Sequence, residues 1–244
     1  MSTQDKSERT IYLGCMDFRL PGPFDCRNAG GATMALRKEI EMLFAQHPET
    51  TALDITVHRD CGGIKAAATI LAGKDLSIST ESLALFEEKF VKYFRGHRFE
   101  GALTDRQTME RMEEFNRDLQ ESQARGILKR LGREDVQVNV LLASVPTGLH
   151  ADTVIVVMGE LPDKDNEIAK LSGVSKGNAY VIMATTVEEV SPSLELAVKV
   201  MGKKSIVFIP SSELERKRAD ELCKKPYMSG IVPKIMPGYR VKIK

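Results

Sequence analysis

A chain of 244 residues with 42% hydrophobic and 28% charged side chains has an ordinary globular balance and enough length to bury a sizeable core. A formal net charge of +1 gives no global attraction to nucleic acid or to an anionic membrane, and no apolar run reaches the roughly 18–20 residues of a membrane span. The stretch Met1 to Thr10 is polar and mixed in charge, without the apolar core of a leader peptide, so the expected setting is cytoplasmic.

Strand and helix patterns alternate through the first part of the chain. Thr10 to Gly14 is short and β-prone. Thr33 to Gln46 carries apolar residues at helical spacing, at Met34, Ala35, Ile40, Leu43 and Phe44. Ala52 to Val57 is an apolar, β-branched strand, and Gly62-Gly63 opens an alanine-rich helix from Ile64 to Leu71. Glu81 to Phe94 and Asp105 to Leu131 are charged and helical in pattern. Glu110, Arg111, Glu113, Glu114, Arg117 and Asp118 are read there as a solvated face. Strands return at Val136 to Ala143, Thr153 to Met158 and Ala179 to Ala184. A helix from Pro192 to Met201 leads to the strand Ser205 to Ile209, and a helix from Glu213 to Cys223 follows a serine cap. Pro226, Pro233 and Pro237 predict an extended arm at the end. From Lys203 onward the chain is net +7, read as a solvated surface or a subunit contact rather than a nucleic-acid site, because no aromatic platform interleaves it. No internal repeat is evident.

The chain has four cysteines, Cys15, Cys26, Cys61 and Cys223. In a reducing compartment these are metal ligands, catalytic groups or small buried hydrophobes rather than disulfide partners. Cys26 and Cys223 stand in no constellation of the kind that surrounds Cys15 and Cys61 and are read as structurally incidental. Cys15 opens Cys-Met-Asp-Phe-Arg, and Cys61 closes His58-Arg59-Asp60-Cys61 before two glycines. Both stretches fall at the C-terminal ends of predicted strands, where parallel α/β sheets bind ligands. Cys15, His58 and Cys61 supply three metal ligands with a fourth position open, the pattern of a catalytic zinc rather than a structural one. Asp17 and Arg19 add an ion pair beside that metal, suited to bidentate pairing. Arg59-Asp60 also spells the start of a kinase catalytic loop. That reading fails, since no glycine-rich phosphate loop precedes it and no asparagine follows at the required place.

A third segment, Arg27-Asn28-Ala29-Gly30-Gly31, lies between the two. With it the chain resembles the β-class carbonic anhydrases, which carry Cys-x-Asp-x-Arg, then Arg-Asn-Ala-Gly, then His-x-x-Cys-Gly in this order. The resemblance covers about residues 10–75. It implies an α/β fold with a mostly parallel β-sheet flanked by helices, here with an extra helical insertion and a C-terminal extension. Residues 1–185 would form the zinc-binding catalytic domain, with the insertion at about 80–131, and 186–244 the extension, packed on the same domain or on a partner subunit. The resemblance implies one Zn²⁺ per chain on Cys15, His58 and Cys61, with Asp17 and Arg19 as the catalytic dyad. Phe18, Arg27, Asn28 and Gly62 would border the substrate pocket. The implied reaction is reversible hydration of carbon dioxide to bicarbonate by a zinc-bound hydroxide, in a homodimer or higher homo-oligomer. His97 and His150 are candidates for moving protons. Phe18 stands where serine is more common, and Pro21, Gly22 and Pro23 stiffen a short loop before Arg27. A reshaped tunnel leaves open hydrolysis of carbon disulfide or carbonyl sulfide, and a non-catalytic zinc-binding scaffold or regulatory subunit is a third reading.

Overall fold

The computed structural model describes residues 9–20, 24–99, 101–146, 151–159, 168, 172–174, 179–184 and 186–237. Among them eight strands form one sheet: β1 (Arg9–Cys15), β2 (Cys26–Asn28), β3 (Thr50–His58), β4 (Gln137–Ala143), β5 (Thr153–Met158), β6 (Ala179–Met183), β7 (Ser205–Pro210) and β8 (Lys234–Ile235). Six α-helices accompany them: α1 (Arg37–Gln46), α2 (Gly62–Leu71), α3 (Thr80–Lys89), α4 (Arg106–Arg130), α5 (Val187–Glu195) and α6 (Glu213–Cys223). The fold is α/β with a mostly parallel sheet, as the sequence predicts.

The strand order is β4-β3-β1-β2-β6-β5-β7-β8. Every neighbouring pair is parallel except β2 and β6, which meet antiparallel through Arg27 and Met183. The sheet is therefore two parallel halves joined at one antiparallel seam. Alternation along the strands assigns each residue to a face. Ile11, Leu13, Leu53, Ile55, Val154, Val156, Ile206 and Phe208 all enter one core that spans both halves. The intervening Ile155, Val157, Val181, Val207 and Ile209 build a second, smaller core on the other face, in the second half alone. Strands buried on both faces read as unbroken apolar runs, which is why β5 stands out in the sequence.

Several elements differ from the sequence expectation. The segment Arg27 to Gly31, for which no strand is predicted, begins inside β2 and continues as a 3-10 turn over Ala29–Gly31. Thr33–Leu36 is also a 3-10 turn, so the helix expected from Thr33 begins at Arg37. The helix expected from Pro192 starts five residues earlier, at Val187, and passes into a π turn over Leu196–Val200. A proline at a first helical position is favourable, and that preference misplaces the start. The C-terminal arm is extended but not detached, since Lys234 and Ile235 add β8 beside β7. The charged helix α4 is not wholly solvated: Glu113, Asn116 and Gln120 are buried. Pro21, Gly22, Pro23 and His150 lie outside the described residues. No helix among the described residues is long and apolar enough to cross a membrane.

Candidate metal centre

Cys15 is the last residue of β1 and His58 the last of the adjacent strand β3. Cys61 occupies the cap position before α2. Parallel pairing thus delivers two ligands from neighbouring strand ends, and the Arg59–Asp60 turn swings the third over them. All three are buried, at 2%, 1% and 2% exposure. Their ligand atoms lie within 4.8 Å of one another, and Cys15 Sγ is 3.6 Å from Cys61 Sγ. Two thiolates on one tetrahedral ion with bonds of about 2.3 Å would stand about 3.8 Å apart, so the sulfur pair already has the required spacing.

His58 is oriented for the same task. Its Nδ1 is 2.7 Å from the Arg59 carbonyl oxygen, which fixes Nδ1 as the protonated nitrogen. A ligating histidine is commonly held in this way through its other ring nitrogen. Its Nε2 is buried without a hydrogen-bond partner. An unpartnered buried acceptor is costly, and a cation bound there would satisfy it. These residues fit a metal ion. The Cys61 hydrogen bond holds Cys15 well down, while the same contact and burial push Cys61 up. The Gly63 and Ile64 backbone N–H groups face the Cys61 sulfur at the start of α2 and favour its anion.

Asp17 and Arg19 form the bidentate pair. Arg19 donates from Nε to Asp17 Oδ1 at 2.9 Å and from Nη2 to Oδ2 at 2.7 Å, and its backbone N–H also reaches Oδ1 at 2.9 Å. Burial opposes ionisation of Asp17, but these bonds, with His58, outweigh it and hold the carboxyl below its ordinary range. Asp17 Oδ2 lies 3.7 Å from His58 Nε2, so the carboxylate borders the ligand cluster while its oxygens are engaged by Arg19. Arg19 is itself fixed by Asp60 Oδ2 at 3.1 Å, by the Asp60 carbonyl at 3.3 Å and by the Pro146 carbonyl at 3.1 Å.

The structure places the other predicted residues as follows. Arg27 is buried and clamps the ligand-bearing backbone, donating from Nε to the Cys15 carbonyl at 2.9 Å and from Nη2 to the Asp17 carbonyl at 2.5 Å, with its guanidinium over the Phe24 ring. Asn28 donates to the Ala32 carbonyl at 3.0 Å and borders a cavity of about 470 Å³ between α1, α3 and α5. Phe18 packs edge to face on Tyr180, with ring centroids 5.3 Å apart. Gly62 has room for a side chain, meeting Met201 at 3.9 Å. Gly63 does not, because a Cβ there would come within 2.5 Å of the Gly30 nitrogen. Gly30, at φ 77°, brings the Arg27–Gly31 segment against the start of α2. His97 is exposed and packs on Phe99 and Phe115.

No protein-family model matches the chain, and no curated protein matches it. Among solved structures, one match comes from a study of two tetrameric β-carbonic anhydrases of the filamentous ascomycete Sordaria macrospora. It shares 15% identity, covers 57% of this chain and 76% of that one, and has a TM-score of 0.40.

Sequence reasoning missed four contributors. Glu113, on α4, accepts the Asp60 N–H at 2.6 Å. It is hidden among the mixed charges of its helix. Gln120 accepts the Thr33 N–H at 2.7 Å, and Asn116 donates to the Gly30 carbonyl at 3.3 Å, which ties α4 to the Arg27–Gly31 segment. Tyr180, from β6, is raised to about 12 by burial and by the Asp17 carboxylate, which marks it as a neighbour of the site. Only its aromatic type in an apolar strand signalled anything.

Proposed function

We propose that this chain is a zinc enzyme catalysing the reversible hydration of carbon dioxide to bicarbonate. The observation that carries the reading is the buried Cys15–His58–Cys61 cluster bordered by an Asp17 carboxylate that Arg19 holds bidentately. Cys15, His58 and Cys61 would hold the zinc. When bound, zinc supplies a Lewis acid that brings the pKa of water toward neutrality. The chain's own residues do the rest. The Cys15 and Cys61 thiols would bind as thiolates, their protons passing to solvent, and would offset the ion's charge. The Arg59 carbonyl keeps His58 in the tautomer that presents Nε2. Asp17, kept ionised by Arg19, accepts a hydrogen bond from a water beside it and aims that water's lone pair. Arg27 fixes the backbone on which Cys15 and Asp17 stand.

Metal analysis after purification without chelators should return one zinc per chain, and Cys61→Ala should carry none. Stopped-flow hydration by the metal-verified protein should exceed the Cys61→Ala rate. No excess over that variant would make the chain a metal-binding scaffold. Consumption of carbon disulfide faster than hydration of carbon dioxide would move the substrate to the sulfur analogues.

A further inference from the structure

The two halves of the sheet have the same topology. In the first, the spatial order is fourth, third, first, second strand, and beyond the seam it continues second, first, third, fourth. The register also repeats. Arg27 and Met183 face each other across the seam, and they pair with Gly14 and Val157 on the neighbouring first strands. Gly14 and Val157 pair in turn with Thr56 and Ile209 on the third strands. A two-fold relation through the Arg27–Met183 pair therefore carries β1, β2 and β3 onto β5, β6 and β7. It carries Leu13 and Ile55 onto Val156 and Phe208, which enter the same core. A helix follows the second strand and another the third in each half.

The ligands do not repeat. By this register Met158 stands where Cys15 does. β3 reaches α2 through three residues, Arg59 to Cys61, whereas β7 reaches α6 through two, Ser211 and Ser212. That turn contains no cysteine or histidine, and the residues on either side of it are Pro210 and Glu213. Among the described residues, one group of ligand atoms is close enough to share an ion, the one in the first half.

The second half nevertheless reaches the metal centre. The Val181 N–H donates to the Met16 carbonyl at 2.9 Å, one residue after Cys15. Ser193 Oγ accepts the buried Ala29 N–H at 3.0 Å. Tyr180 packs on Phe18, with Lys203 over its ring, and Met201 lies against Gly62.

We propose that the described residues between 151 and 237 are a structural counterpart, lacking the Cys-His-Cys cluster, of those between 9 and 146, fused in the same chain, and that this half completes the metal centre of the first by closing the β2 edge and walling it with Tyr180. The C-terminal extension, which the sequence left to pack on the same domain or on a partner subunit, then packs within the chain. Tyr180 is a positioning residue, acting through Phe18 on the Asp17–Arg19 pair.

This rests on the metal-centre reading, so the test reads the metal and not turnover. Full-length protein is loaded with cobalt, whose thiolate absorption reports the Cys15–Cys61 environment. Tyr180→Leu should keep one cobalt per chain but release it to a chelator about 10-fold faster, the low end of what loss of an outer supporting residue costs. Ser193→Ala is a milder seam variant, and far-UV circular dichroism verifies the fold of both. Each is mixed with a Cys61→Ala chain, which binds no metal but has an intact second half. Fast release that this chain does not correct places the supporting half in the same polypeptide. Normal release in both variants, rescue by the mixed chain, or two cobalt ions per wild-type chain would overturn the fusion. Slow release without carbon dioxide hydration would sink the enzymatic reading and leave the fusion standing.

Discussion

Arg19 spends all three guanidinium nitrogens within the site, two on Asp17 and one on Asp60 and the Pro146 carbonyl. Such a fork fixes the plane of the carboxylate as well as its charge, which a lysine could not do. Asp17→Asn presents an NH₂ group to one arm of that fork and loses the anion beside the ligands. The variant should keep its full metal content, because Cys15, His58 and Cys61 are untouched, while hydration falls by about 10²-fold. Metal analysis and stopped-flow rates on one preparation check this. Unchanged turnover at full metal would remove Asp17 from the chemistry.

Between β3 and α2, Asp60 adopts φ 58°, a left-handed conformation uncommon outside glycine. The turn is held from outside: Glu113 accepts the Asp60 N–H, and Arg19 and Lys65 bind its carboxylate. Helix α4 is thus the brace of the ligand-bearing turn. Glu113→Ala leaves that N–H unpaired and should cost about 1–3 kcal/mol in urea unfolding. Glu113→Gln keeps an oxygen acceptor and should recover most of it. A loss below about 0.5 kcal/mol for the alanine variant, the level of an ordinary surface change, would remove the brace. The Cys15–His58–Cys61 cluster and the Asp17–Arg19 pair were legible in the sequence because Cys, His, Asp and Arg at those spacings have few other uses together. β5 and α6 were legible because one is an apolar run and the other follows the cap Ser212, whose Oγ accepts the Glu215 N–H. The brace was not, because a buried glutamate has the same letter as a solvated one, and only the position of α4 against the turn separates Glu113 from Glu114. β2 was not, because Cys-Arg-Asn has neither length nor alternation to mark a strand. The repeat was hidden for a related reason, since the halves share apolar alternation and no ligand.

Across the seam, Glu189 on α5 meets Glu39 on α1. Burial, and then the hydrogen bond and charge of Glu39, raise Glu189 to about 9, while the Thr186 hydroxyl and Lys38 oppose the shift. The folded protein therefore keeps a proton that the unfolded chain releases near pH 4.5. The stability this represents is complete below about pH 4.5 and is lost as pH rises toward 9. Glu189→Gln removes the titration. It should flatten the fall of Tm between pH 5 and 9, and at pH 8.5 a gain of about 1 kcal/mol would appear as about 2–4 °C. Calorimetry at both ends of the range checks it, and parallel slopes for the two proteins would exclude the pair as a source of the pH dependence.

The single antiparallel junction has a consequence during synthesis. Cys15, His58 and Cys61 all precede residue 62, so the ligands and the two strands that carry them emerge together. The edge of β2 is closed only by β6, about 150 residues later. At ordinary elongation rates of about 5–20 residues per second, that edge stays open for about 8–30 s. An open strand edge is a template for pairing with another chain. Each nascent molecule thus passes through an interval in which β1, β2 and β3 have emerged without the strand that covers the β2 edge.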